Sequence, residues 1–180
     1  KYVSKAVGIE LQKSTIDKLN RSGIRCFEKT SDVKEKFEIV SLFHVLEHLL
    51  NPIETLIDIK DNLLEQNGYI IIEVPHANDF LLNHLQSQEF KSFTLWSQHL
   101  ILHTRSSLRR FLEYSGYRNI TIKGLQRYSI SNHFNWIANN RPNGHRDILS
   151  FFENEELKAS YENSLASIDA TDTLVAIAEK

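Results

Sequence analysis

Glycine is scarce in this chain: 6 in 180 residues, no two of them close together, so the sequence holds no glycine-rich phosphate loop. Cysteine occurs once, at Cys26. That excludes an internal disulfide framework and fits a reducing, cytoplasmic compartment. Cys26 sits in the short apolar run "IRCF", where a buried, inert thiol is expected. Methionine is absent and the chain opens on Lys1. The native start is therefore expected to lie upstream. No apolar run is long enough to span a bilayer, and no secretory leader pattern stands at the N-terminus. Neither charge sign dominates. A net charge of -2 and a pI near 6.5 give no electrostatic case for nucleic acid or an anionic membrane. The remaining composition is that of an ordinary globular core, 41% hydrophobic and 24% charged.

Along the chain, strand and helix signals alternate. "KAVGIEL" reads as a strand ending on Glu10. "STIDKLNRSG" reads as a helix with Ser14 as cap and Gly23 as stop. "IRCF" is a second strand, and "FEIVSLF" is a continuous apolar strand of the kind buried on both faces of a sheet. Asn51, Pro52 and Glu54 signal a capped helix start, with Asn67-Gly68 ending that helix. "YIIIEV" is a strand stopped by Pro75, and residues 76–103 form a polar connection. "TRSSLRRFLEYSG" is a helix capped by Thr104 and stopped by Gly116. "NITIKG" and "DTLVAIAEK" are strands, with helical patches between them over 125–170. This alternation predicts an α/β, open, doubly wound, mostly parallel sheet in one domain over 1–180. Ligands of such sheets bind outside the carboxyl ends of the strands. Glu10, the run Phe43 to His48 and the run Pro75 to Asn78 fall there.

The stretch "SLFHVLEHLLNP" carries the densest chemistry. His44, Glu47 and His48 stand at i, i+3 and i+4. Residues of these types at this spacing suit a metal site, an acid–base pair or the rim of a cofactor pocket. The residues alone leave all three open.

The longer text "FEIVSLFHVLEHLLNPIETLIDIKDNLLEQNGYIIIEVP" resembles the fourth strand, following loop and helix, Gly turn and fifth strand of class I S-adenosylmethionine-dependent methyltransferases. "QHLILHTRSSLRRFLEYSGY" is similar to the region of small-molecule members where a His precedes a Thr-capped helix. "AVGIEL" resembles the second strand with its terminal acid. The resemblance implies a Rossmann-like fold whose last strand is antiparallel, preceded here by a helical insert over 125–170. The family's first strand and Gly-rich loop would stand just upstream of Lys1. The activity implied is methyl transfer from S-adenosylmethionine to a small-molecule or glycan-precursor acceptor. No nucleic acid or membrane partner is implied, and a homodimer is compatible.

The resemblance also assigns roles. Glu10 would bind the cofactor ribose, Leu11 would lie against the adenine, and Ser31 and Asp32 would stand near the adenine amino group. Leu42, Phe43 and His44 would line the cofactor's methionine and ribose edge. His44 either packs there or acts as a base. His76 and His99 would face the acceptor, His76 projecting from the strand end toward it. Glu47, His48 and His99 resemble the ligand set of small-RNA 3′-terminal 2′-O-methyltransferases, with His44 in place of an acid. Many members carry the same residues as loop braces, and the expectation here is a brace and no metal. The absent Gly motif keeps a non-catalytic binding subunit open as an alternative, beside a metal-dependent RNA 2′-O-methyltransferase.

Overall fold

The computed structural model describes residues 3–146 and 148–180. Its strands fall into two sheets. Strands β1 (Val7–Ile9) and β2 (Arg25–Phe27) pair in parallel, joined by helix α1 (Lys13–Arg21). Gly23 turns the chain back with φ 82°, a left-handed conformation that costs glycine little. The second sheet has the order β3-β4-β6-β5. Its members are β3 (Phe37–Phe43), β4 (Leu64–Pro75), β5 (Arg118–Leu125) and β6 (Thr173–Glu179). The β3–β4 ladder is parallel, and β6 runs antiparallel between β4 and β5. Helices α2 (Pro52–Asp58), α3 (Gln88–Thr94), α4 (Arg105–Tyr114), α5 (Ile130–Asn139) and α6 (Glu155–Ser167) complete the chain.

The α/β class and the antiparallel last strand are as expected. The sheet is mixed and in two parts: among the described residues two ladders are parallel and two are antiparallel. Among the described residues no strand pairs with the second edge of β3. This edge position also overturns the expectation that "FEIVSLF" is buried on both faces. Within β3 only Leu42 is buried, while Ile39 and Phe43 are more than half exposed.

The core lies under β4 and β6. Ile70, Ile72 and Val74 alternate along β4, and Leu174, Ala176 and Ala178 do so along β6. The period of two puts each set on one face. Leu56 of α2 and Leu108 and Leu112 of α4 pack against that face, and Tyr117 ties the layers by donating its hydroxyl to the Leu56 carbonyl at 3.0 Å.

Local signals fared unevenly. Thr104 caps α4 in a full capping box with Ser107, and Gly116 ends it at φ 81°. The Asn51 cap forms no side-chain bond, and α2 gives way after Asp58 to one wide turn over Ile59–Leu63. Asn67, at φ 65°, and Gly68 therefore lie inside β4, in its irregular first part, where the register with β3 shifts. Helix α3, capped by the Ser87 hydroxyl, stands in what reads as a polar connection.

Ile72 is fully buried and Ile177 is 43% exposed on the other face of the same sheet. Ile72→Ala is expected to lower unfolding free energy by about 2–5 kcal/mol. Ile177→Ala is expected to cost well under half of that, because its site is already wet. Urea titration of both variants measures the difference.

Candidate active site at the carboxyl ends of the strands

The parallel register places Phe43 opposite Glu73. One residue on, the His44 amide donates to the Glu73 carbonyl at 2.9 Å. His44 then adopts φ 53°, a left-handed conformation uncommon for a residue with a β-carbon. The strand stops there, and the imidazole turns onto three charged groups. Nδ1 lies 3.2 Å from Glu47 Oε1, and Nε2 lies 3.1 Å from Glu73 Oε1. The Arg127 guanidinium contacts Nε2 and also pairs with Glu73 at 3.3 Å. With Nδ1 protonated, the ring donates to Glu47 and receives Arg127 at Nε2, and Glu73 is served by Arg127 rather than by the ring.

The next turn, Leu46–His48, is a single tight 3-10 turn that seals Glu47 completely from solvent. Its backbone carbonyl accepts from the Leu100 amide at 2.8 Å. That bond docks the 96–101 segment onto the turn and brings His99 beside His48, with ring centroids 4.9 Å apart. Ligand atoms of Glu47, His48 and His99 lie within 4.8 Å of one another. A surface cavity of about 350 Å³ lined by His48, Ser97, Gln98 and Leu100 opens at the same place.

The other strand ends are arranged more loosely. Glu10 follows β1 directly, and its carboxylate accepts from the Gln12 amide at 2.9 Å, at the start of α1. Leu11 is 81% exposed. Ser31 and Asp32 sit in a short turn after β2, both exposed. Leu42 differs from expectation: its side chain belongs to the core, on the opposite face from Phe43, so it offers a ligand no side-chain contact.

His76 differs too. It does not project outward. It is 1% exposed and bonds through Nδ1 to the Thr171 carbonyl at 2.9 Å. Its amide bonds to the Asp172 carbonyl and it bridges to His103, so it joins β4 to the entry of β6 and to the segment before α4. Desolvation pushes its pKa below the usual imidazole value, against the Thr171 bond and the Asp169 charge. A residue pinned on three sides by backbone is a joint in the fold and not a group facing an acceptor.

Two functional candidates escaped the sequence reading. Glu73 is the one charge inside the apolar run "YIIIEV", a signal that could have marked it. Arg127 follows β5 without any local pattern, and only the β5–β6 pairing brings it to β4. Its amide and that of Tyr128 donate to the buried Asp172 carboxylate, which holds this corner in place.

Buried ionisable groups make stability depend on pH. Desolvation pushes His103 and His133 down to about 4, from an ordinary value of 6.5. Between those values the unfolded chain binds protons that the folded chain refuses, so stability is lost as pH falls. Asp79 acts in the opposite sense. Desolvation raises it to about 7, despite amide bonds from Leu81 and Leu82. The folded chain therefore holds a proton there that the unfolded chain releases. His76 shifts as those two histidines do and the buried Asp172 as Asp79 does; three histidines outweigh two acids, and the urea midpoint is expected to drop between pH 6.5 and pH 4. Asp79→Asn keeps the amide acceptor, removes one opposing contribution and is expected to steepen that drop.

Comparison with known proteins bears on the family and the fold. Residues 2–122 match the methyltransferase domain family. Searches of curated proteins give no match. Among solved structures, an S-adenosylmethionine-dependent methyltransferase of Archaeoglobus fulgidus superposes with TM-score 0.58 at 16% identity, over 97% of this chain and 75% of that one. A methyltransferase of Thermotoga maritima gives TM-score 0.60 at 12% identity, over 97% and 72%. The plantazolicin methyltransferase BamL, solved with a triazolic desmethylPZN analog and SAH, gives TM-score 0.58 at 17% identity, over 100% and 69%. At these identities the structures show the shared fold, and the domain match shows the family: this chain belongs to the methyltransferase domain family.

Proposed function

We propose that the protein transfers a methyl group from S-adenosylmethionine to a small-molecule or glycan-precursor acceptor, with His44 as the base. The observation that carries this reading is the His44–Glu47–Glu73 cluster at the carboxyl ends of two adjacent parallel strands, the place where ligands of such sheets bind.

The strand ends suit the cofactor's chemistry. Glu10 offers a carboxylate to ribose hydroxyls at a helix start. Leu11 and Phe43 leave apolar surface in the open, at 81% and 56% exposure, for an adenine or a thioether chain to cover. Ser31 and Asp32 add polar atoms one strand further along. The cofactor supplies a methyl group already activated on a sulfonium, so the side chains need to position and to move a proton.

His44 is built for the proton. The buried Glu47 carboxylate accepts from Nδ1 and holds the tautomer, which leaves the Nε2 lone pair to Arg127. Nε2 takes the proton that the acceptor's O–H or N–H gives up as its heteroatom bonds the methyl carbon. Arg127 contacts that nitrogen, so an acceptor displaces it; its side chain is 40% exposed and free to turn toward solvent. Glu47 is then a positioning residue and Glu73 an anchor for the displaced arginine. The net charge of -2 supports an acceptor other than nucleic acid.

Calorimetric titration with S-adenosylhomocysteine is expected to show binding that Glu10→Ala weakens about tenfold or more, the loss of roughly 1.4 kcal/mol of hydrogen bonding. His44→Gln is expected to bind the same ligand normally while kcat for an O–H or N–H acceptor falls about 10²–10³-fold. No heat of binding, or full turnover in His44→Gln, would overturn the reading.

A further inference from the structure

The segment from Trp96 to Leu100 is held more firmly than a surface connection needs. We propose that it forms a subsite for a neutral sugar unit of the acceptor, with the Trp96 indole as stacking face and Ser97, Gln98 and His48 as hydrogen-bonding rim. The use of this subsite in catalysis rests on the methyl-transfer reading, whereas the binding of the sugar does not.

The first observation is preorganisation. The Leu100 amide donates to the Glu47 carbonyl at 2.8 Å, and the His99 amide to the Trp96 carbonyl at 3.0 Å. His48 donates from Nδ1 to the Gln98 carbonyl at 2.6 Å, and His99 from Nδ1 to the Thr94 carbonyl at 2.7 Å. These bonds fix the segment before a ligand arrives, which lowers the ordering cost of binding.

The second observation is what this arrangement leaves open. A carbonyl only accepts, so both imidazoles keep their proton on Nδ1 and retain an Nε2 lone pair as acceptor. Ser97 adds a hydroxyl and Gln98 an amide, each able to donate and to accept. His48, Ser97, Gln98 and Leu100 line the cavity of about 350 Å³, within the roughly 300–1,000 Å³ of small-molecule sites.

The third observation is the indole. The chain has two tryptophans. Trp136 is buried, its ring centroid 5.2 Å from both Phe90 and Phe93, and serves packing. Trp96 is 46% exposed. Its ring stands edge-to-face with His48 at 6.5 Å and with His99 at 5.6 Å, which sets the indole plane beside the cavity.

The lining selects the ligand. Among the described residues no Asp, Glu, Lys or Arg lines the cavity, so a phosphate, carboxylate or ammonium would find no counter-charge there. A flat aromatic ring would leave the hydroxyl, amide and imidazole unpaired. A pyranose satisfies both demands, with hydroxyls around its rim and C–H bonds on its face for the negative face of an indole. Glu47 separates the subsite from the base: its Oε1 lies 3.2 Å from His44 Nδ1 and 3.8 Å from His48 Nε2. The sugar held here is therefore the neighbour of the unit that is methylated, and its binding orients that unit.

Saturation-transfer NMR on the whole protein without cofactor tests this. The probes are methyl glycosides of neutral hexoses, 6-deoxyhexoses and N-acetylhexosamines, with methyl glucuronide and glucose 6-phosphate as charged counterparts. Saturation is expected on the ring C–H groups of at least one neutral glycoside, and weaker binding of both charged probes. Trp96→Ala is expected to weaken binding about tenfold or more, and Ser97→Ala and Gln98→Ala by a smaller factor. Tyr114→Ala, an exposed aromatic on α4, is expected to bind as the parent does. Urea midpoints confirm that each variant is folded, and the Ser97 and Gln98 variants keep the test decisive should Trp96→Ala collapse. No saturation of any neutral glycoside, tighter binding of the charged probes, or unchanged affinity in the Trp96, Ser97 and Gln98 variants would overturn the proposal. Sugar binding without S-adenosylhomocysteine binding would overturn the methyl-transfer reading alone, and the reverse would overturn the subsite alone.

Discussion

Strand β4 is the constraint on which the rest depends. Among the described residues it is the one strand with a parallel neighbour on one side and an antiparallel neighbour on the other. Its alternating isoleucines and Val74 take one face into the core and hold α2 and α4 against the sheet. The same pleat sends Glu73 to the other face, where Arg127 and His44 meet it. A register slip of one residue would exchange the two faces, exposing Ile72 and burying Glu73 without a partner. Core and site are therefore set by one ladder.

From that ladder the site follows by short steps. Register with β4 ends β3 at Phe43, and the left-handed His44 turns the chain into the Leu46–His48 turn. That turn buries a carboxylate, which must be neutralised or bonded because the Glu47 side chain has no access to water. Every neighbour with a ring nitrogen converges on it: His44 by hydrogen bond, His48 at 3.8 Å, and His99 through the docking of the 96–101 segment.

Much of the fold was legible in the residues. Thr104, Ser107 and Gly116 mark the ends of α4 because caps and left-handed stops are local chemistry, satisfied within four residues. The strand "YIIIEV" was legible from its apolar run. The motif "SLFHVLEHLLNP" was legible as the edge of a site. The reading went astray where a residue's setting depends on partners far along the chain. "FEIVSLF" is apolar enough for a central strand, yet it stands at an edge among the described residues. His76 reads as an exposed loop histidine, yet Thr171, 95 residues later, closes over it. Leu42 and Phe43 are adjacent and equally apolar, and only the pleat decides which one enters the core.

The sequence by itself determined the α/β class, the ends of α4 and the family, because these rest on periodicity, capping and a contiguous motif. Only the tertiary structure decided which charges share a site. Arg127 reaches His44 across 83 residues, and His99 reaches Glu47 across a long connection. Such meetings are products of strand order and of backbone bonds like that from Leu100 to Glu47. No local propensity encodes them, since propensity sees a few neighbours along the chain while charge and coordination act through space.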